Sequence, residues 1–254
     1  MQNKKKIWKI VYVVSLCLCG VFLVIILSVL GFMMKSKNDI DDLRSEVVRD
    51  VSEISENLPE NPIDFETLKK RNDDIYGWIE IPNTQINYPV VQSWEEDDSF
   101  YLNHNADKQY DINGSIYTEK LNNLSFTDPN TLIYGHDMLD GSMFQNLHKF
   151  RNKKFFDENQ YIYIYTEGHI LKYKIFAAYK SDNKHILNSY DFSDKEVYAE
   201  YLKNAQNPKS LEVNTRDCSL TTDDRIITLS TCIGNEKNYR YLVQGVLIDD
   251  TLTK

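Results

Sequence analysis

Residues Ile10 to Met34 form an uncharged run of 25 residues, preceded by Lys4, Lys5, Lys6 and Lys9. No other feature of the chain limits its fold as much. A run of this length crosses a bilayer as one helix. The basic flank places residues 1–9 in the cytoplasm and everything from Lys35 onward outside. A cleaved signal peptide is the rival reading. Its apolar region is usually about 7–15 residues long and ends in a small-x-small site. The Ser28-Val29-Leu30-Gly31 stretch is a poor version of that site, so the run reads as an uncleaved anchor. A buried soluble helix would need a polar face elsewhere in the fold, and none is present here.

Beyond residue 34 the composition changes sign. Residues 35–254 hold 25 basic against 38 acidic residues, a net charge of −13. Such a surface excludes nucleic-acid binding through phosphate contacts. Two of the four cysteines, Cys17 and Cys19, lie in the apolar run, leaving Cys218 and Cys232. That rules out a disulfide framework and a four-thiolate zinc site. No metal or organic cofactor is expected.

Ile40, Leu43, Val47, Val51, Ile54 and Leu58 mark an apolar stripe at helical spacing, and Pro59 and Pro62 end it. Residues 35–63 therefore read as a helix and linker. The domain that follows spans 64–254. Asp64 caps a short helix over Phe65–Arg71. From Ile75 the period becomes two. Strands are predicted at 76–81, 86–91, 114–118, 131–134, 161–166, 170–179, 225–231 and 239–248, with Pro89 marking an edge or a bulge. Ser193–Gln206 reads as a helix opened by a Ser193/Glu196 capping box. Many short strands with few helices point to a mainly β, closed or nearly closed barrel.

Thr228-Leu229-Ser230-Thr231-Cys232 ends one strand on a thiol, and Arg240 opens the next. Upstream, Leu132-Ile133-Tyr134-Gly135-His136 ends a strand on an imidazole. A thiol, an imidazole and a fixed cation can supply a nucleophile, a proton shuttle and an oxyanion stabiliser. An ordinary thiol near about 8.5 and imidazole near about 6.5 do not form an ion pair unaided at neutral pH. A neighbouring guanidinium would help. The other histidines, His104, His148, His169 and His185, read as structural.

These residues carry a resemblance. TLSTC at 228–232 with Arg240 behind it, LIYGH at 132–136, GWIEIPNTQINYPVVQ at 77–92 and GSIYTE at 114–119 together resemble the sortase family, class B most closely. The match runs from about Phe65 to Ile248. The helix at 193–206 is similar to the extra helix that separates class B from class A. The resemblance implies a closed eight-stranded β-barrel with N-terminal helices. It further implies a membrane-anchored cysteine transpeptidase of a Gram-positive cell. Such an enzyme cleaves secreted surface proteins after the threonine of a C-terminal sorting motif, holds the product as a thioester, and passes it to an amine of a peptidoglycan precursor such as lipid II. Carried over by position, Cys232 is the nucleophile, His136 the general acid/base and Arg240 the oxyanion or substrate clamp. Leu102, Tyr134, Ile186 and Ser230 fall at groove positions. The stretch after the cysteine, Ile233-Gly234-Asn235-Glu236, lacks the Asp sometimes offered as a third catalytic member, so no catalytic acid is assigned. A hydrolase releasing its product to water and a non-catalytic wall-binding ectodomain are the other classes compatible with an anchored chain. A Cys218–Cys232 disulfide would block the nucleophile and is disfavoured.

Overall fold

The computed structural model describes residues 2–48 and 58–254, and side chains at 14–15, 18–48 and 58–254. The chain divides into two compact units, residues 1–45 and 46–254.

The first unit is helical. Helix α1, Gln2–Val47, runs as one continuous helix of 46 residues, about 69 Å at 1.5 Å per residue. No Pro interrupts the sequence between the apolar run and Val47, so the helix does not break at the charged residues beyond Met34. The portion from Leu18 onward is long and apolar enough to cross a membrane. The expected separate helix over 40–58 is corrected accordingly. Its first half continues α1, and Val48 instead bridges Ile63 in extended pairing. Val51 and Ile54 fall outside the described residues.

The second unit opens with α2, Phe65–Arg71, where the Asp64 carboxylate accepts the Thr67 N–H at 3.1 Å as expected. The strands are β1 (Ile75–Glu80), β2 (Asn87–Val91), β3 (Ile116–Tyr117), β4 (Asn130–Tyr134), β5 (Tyr161–Thr166), β6 (His169–Asp182), β7 (Val213–Thr215), β8 (Ile226–Cys232) and β9 (Tyr239–Leu252). Eight of them close a barrel in the order β1-β2-β3-β4-β8-β9-β6-β5, with β5 returning to β1. The pairs β2–β3 and β4–β8 are parallel and the rest antiparallel, so the barrel is mixed. β7 pairs with the distal half of β6, outside the ring. Closure removes free edges along the ring. Pro89 lies inside β2 rather than on an edge strand. Within β2, β3 pairs with Val90 and Val91 and not with Pro89, so Pro89 faces a strand partner on the β1 side alone, opposite Trp78. A register irregularity sits nearby between Ile75 and Gly77.

Three further helices decorate the barrel: α3 (Lys153–Glu158), α4 (Ile186–Ser189) and α5 (Lys195–Gln206). α5 buries Tyr198, Tyr201, Leu202 and Ala205, spaced three and four apart, against Phe176, Tyr179, Ile226, Leu242 and Val246. Burying a leucine such as Leu202 contributes about 1.5–3 kcal/mol. The cap of α5 is Asp194, whose Oδ1 accepts the Glu196 and Val197 N–H groups at 2.8 and 3.2 Å. The expected Ser193 cap is displaced because its hydroxyl bonds Asp191 at 2.6 Å.

Beneath α5 lies a closed polar cluster. Gln244 Nε2 donates to Tyr201 Oη and Thr228 Oγ1, both at 2.9 Å. The Tyr179 hydroxyl donates to Gln244 Oε1 at 3.1 Å, and Thr228 Oγ1 donates to Asn130 at 2.8 Å. The cluster ties β4, β6, β8 and β9 to the helix, and each buried group has a partner.

Candidate active site

The site grows from two strand ends on the same rim. β4 and β8 run parallel with Tyr134 beside Ser230, so the residues that follow each, His136 and Cys232, leave the barrel together. β8 and β9 are antiparallel, with Cys232 directly opposite Arg240. Opposed residues project to the same face of a sheet about 4.5–5.5 Å apart. Side chains alternate along a strand, so Ser230 and Cys232 also share that face. Six residues of β8 are buried and Cys232 alone is exposed. Cys218 and Cys232 are free thiols.

The His136 segment is held by packing. Gly135 allows a close approach: a Cβ there would lie 2.5 Å from Ile116 Cδ1 and 2.6 Å from Phe144 Cγ. The Gly135 N–H donates to the Ser230 carbonyl at 3.2 Å, and the Phe144 N–H to the His136 carbonyl at 2.9 Å. His136 is half-buried, with Nε2 2.6 Å from the Leu102 carbonyl. That contact fixes a hydrogen on Nε2, because a carbonyl can only accept.

Arg240 Nη1 donates to the carbonyls of Tyr239 and Lys237 at 2.9 and 3.2 Å. The guanidinium is thereby fastened to the loop that joins β8 and β9. That loop is braced in turn by buried Ile233, by Glu236 N–H to Ile233 O at 2.7 Å, and by Lys180 paired with Glu236.

Tyr117 and Tyr134 stack at 5.4 Å beside the site. Burial raises both phenols well above their ordinary range, with Glu119 adding to the shift and Arg240 opposing it. Both remain neutral. Glu119 faces His185 at 2.8 Å, and His185 Nδ1 accepts the Asn188 N–H at 3.2 Å, capping α4.

The sequence-chosen groove residues separate into two groups. Leu102, Tyr134 and Ser230 adjoin His136 and Cys232 through the contacts above; Leu102 is 45% exposed. Ile186 lies elsewhere, packed against the α5 layer and lining a cavity of about 740 Å³ with Tyr190, Tyr239 and Leu242. Two further residues also reach the site: Asp137, which the sequence does not single out, and His148, which reads there as structural. Asp137 Oδ2 accepts the Gly234 N–H at 3.0 Å, and His148 Nε2 lies 3.1 Å from the Cys232 carbonyl. Only adjacency to His136 could have pointed to Asp137. Nothing in the sequence marks His148.

A family model for the sortase domain matches residues 79–248. The chain belongs to the sortase family. Sortases are cysteine transpeptidases that anchor surface proteins to the cell wall. The relatives are of class B. Sortase B of Listeria monocytogenes is 35% identical over 214 residues, covering 82% of this chain and 83% of its own length. The structure of Clostridium perfringens sortase B superposes with a TM-score of 0.66 at 38% identity, over 73% of this chain and all of that one. A Bacillus anthracis sortase B structure reaches a TM-score of 0.72 at 29% identity, over 87% and 99% of the two chains. The eight-stranded mixed barrel with its N-terminal helix is the sortase B fold.

Proposed function

We propose that this sortase uses Cys232 as nucleophile, His136 as general acid/base and Arg240 as oxyanion clamp. The Cys232 thiolate attacks the carbonyl carbon of a substrate threonine, forming a C–S bond. The developing oxyanion sits against the Arg240 guanidinium. Protonated His136 gives its proton to the departing amide nitrogen as the C–N bond breaks, leaving a thioester. An acceptor amine then attacks that carbonyl, His136 takes the amine proton, and the C–S bond breaks to restore the thiolate.

The observation that carries this reading is the direct register of Cys232 with Arg240 at the rim where β4 delivers His136. Arginine suits the clamp because it stays charged and carries five donors, and both described contacts engage only Nη1. Leu102, Tyr134 and Ser230 line the approach to the thiol, and Ile186, which lies against the α5 layer, is not part of it. The substrates are secreted proteins with an NPQTN-like or related NP- or SP-type sorting signal. The acceptor is an amine of lipid II or peptidoglycan. Residues 10–34 span the membrane, residues 1–9 stay in the cytoplasm, and residues 64–254 form the catalytic domain outside.

The test uses detergent-solubilised full chain, a panel of fluorogenic peptides bearing such signals, and an amine acceptor. A thioester on Cys232 should be trapped by mass spectrometry, and adding the amine should shift product from free acid to amide. Cys232→Ala should abolish both. A covalent intermediate that persists in the alanine variant would sink the assignment.

A further inference from the structure

Asp137 follows His136 in the chain, yet its carboxylate serves the opposite side of the site. Oδ2 accepts the Gly234 N–H at 3.0 Å and lies 3.2 Å from His148 Nε2. The same His148 nitrogen is 3.1 Å from the Cys232 carbonyl. Gly234 has φ +42°, a left-handed conformation that L side chains rarely adopt. One carboxylate and one imidazole thus join the turn that carries His136 to the backbone on both sides of Ile233, directly after the thiol.

The protonation state of His148 follows from its surroundings. Its Nδ1 is buried and has no hydrogen-bond partner among the described residues. A hydrogen there would be an unsatisfied donor, costing about 1–3 kcal/mol. A neutral ring with its one hydrogen on Nε2 leaves only a lone pair at Nδ1 and directs the N–H between the Asp137 carboxylate and the Cys232 carbonyl. Burial lowers the His148 pKa and Arg151 lowers it further, while Asp137 and the Cys232 carbonyl oppose them. The ring also lies against Tyr241, centroids 5.2 Å apart. Asp137 and His148 side chains are each 14% exposed, unlike an open surface ion pair.

We propose that Asp137 and neutral His148 are a positioning pair for the transpeptidation reaction, holding the Cys232 end of β8 in register with the His136 turn. The proposal rests on reading Cys232 and His136 as the reacting groups. Asp137 does not act as a third member of a relay through His136. The His136 Nε2 contact is with the Leu102 carbonyl, and no described contact joins its ring to Asp137. What Asp137 supplies is an acceptor oxygen at a fixed place, and what His148 supplies is a donor. A site loosened by about 1 Å loses on the order of 100-fold in rate.

Two matched pairs of variants test this in the full chain. Asp137→Asn keeps an acceptor oxygen and Asp137→Ala does not. His148→Gln keeps a donor and His148→Phe does not. The alanine and phenylalanine variants should lose roughly 10–100-fold in kcat on the fluorogenic peptides with KM little changed. The asparagine and glutamine variants should recover most of that loss. Iodoacetamide labelling of Cys232, read by mass spectrometry at neutral pH without substrate, should slow in the same order. This readout decides the proposal even if no peptide in the panel is cleaved by the wild-type chain, which would instead count against the substrate reading. If Asp137→Ala does not fold, the His148 pair reads the same geometry from the other side. Wild-type kcat and labelling in Asp137→Ala or His148→Phe would overturn the proposal. So would an Asp137→Asn variant as impaired as Asp137→Ala, since charge rather than acceptor geometry would then be operating.

Discussion

Cys232 stands directly across the β8–β9 ladder from Arg240. The ladder fixes the two backbones, and the loop carbonyls of Lys237 and Tyr239 fix the guanidinium. Arg240→Lys keeps the charge but has no planar fork with which to hold the loop and an oxyanion at once. The rate of thioester formation should fall by about 10²–10³. A lysine variant with full rate would show that charge alone suffices and would move Arg240 to substrate steering.

Thiol labelling should separate the two cysteines of the barrel unit. Cys232 is exposed, whereas Cys218 is half-buried against the α5 layer. Its sulfur lies 3.7 Å from Gln206 Nε2, and burial raises the Cys218 pKa. A limiting dose of iodoacetamide should modify Cys232 first and abolish peptide cleavage with Cys218 still unmodified. Preferential labelling of Cys218 would contradict the structure.

Gly135→Ala should damage both stability and activity. The added methyl would fall within 2.7 Å of the buried Phe144 ring and of Ile116. Relief requires the His136 turn to shift. Overpacking of this kind costs about 1–3 kcal/mol. A lower melting temperature together with a lower kcat is expected. An unchanged melting temperature would mean that the turn yields freely.

Gln244→Leu tests the polar cluster under α5. It leaves the buried Tyr179 hydroxyl without its acceptor, removes the donor to Thr228, and leaves Tyr201 only the longer Asn130 donor at 3.5 Å. One stranded buried group costs about 1–3 kcal/mol. Denaturant titration should show a lower midpoint with an unchanged slope.

Acid stability reports on His148. Its folded-state pKa is lowered, chiefly by burial, with Arg151 adding to the effect. Above its ordinary pKa of about 6.5 the ring is neutral in both folded and unfolded chains, and its neutral contacts are fully present. As pH falls below that value the unfolded chain binds a proton that the folded chain resists, so stability declines. Asp137, Arg151, Tyr241 and the Cys232 carbonyl face the ring and are common to both proteins compared. His148→Gln should therefore show a smaller drop in melting temperature between about pH 6.5 and pH 5 than the wild-type chain. An equal or larger drop would show that His148 is not held neutral.

Much of the barrel is legible in the sequence because its strands alternate or run apolar between turn residues. Most predicted boundaries fall within a few residues of those observed. β7 escapes because three residues, Val213–Thr215, carry no period, and β6 is its only partner strand among the described residues. The cap of α5 shifts by one residue because two adjacent polar side chains compete and the aspartate wins the amides. Cys232 and Arg240 are readable because one ladder joins them across a short loop. Asp137 and His148 are not, since their roles depend on a carbonyl and an amide that sequence does not display. His148 lies in a 3-10 helix, residues 145–151, off the buried apolar line of Phe144, Leu147 and Phe150 that orients the segment.

The position of β9 has a consequence for how the protein matures. It follows β8 in the chain and inserts between β8 and β6. A polypeptide emerging N-terminus first carries its thiol and imidazole before it carries Arg240. Until this fourteen-residue strand docks, the barrel has a gap, Cys232 has no guanidinium opposite it, and the loop that orders the rim has no second anchor. Non-local pairings of this kind form slowly. In the proposed mechanism the oxyanion clamp therefore meets the thiol only once β9 has closed the barrel.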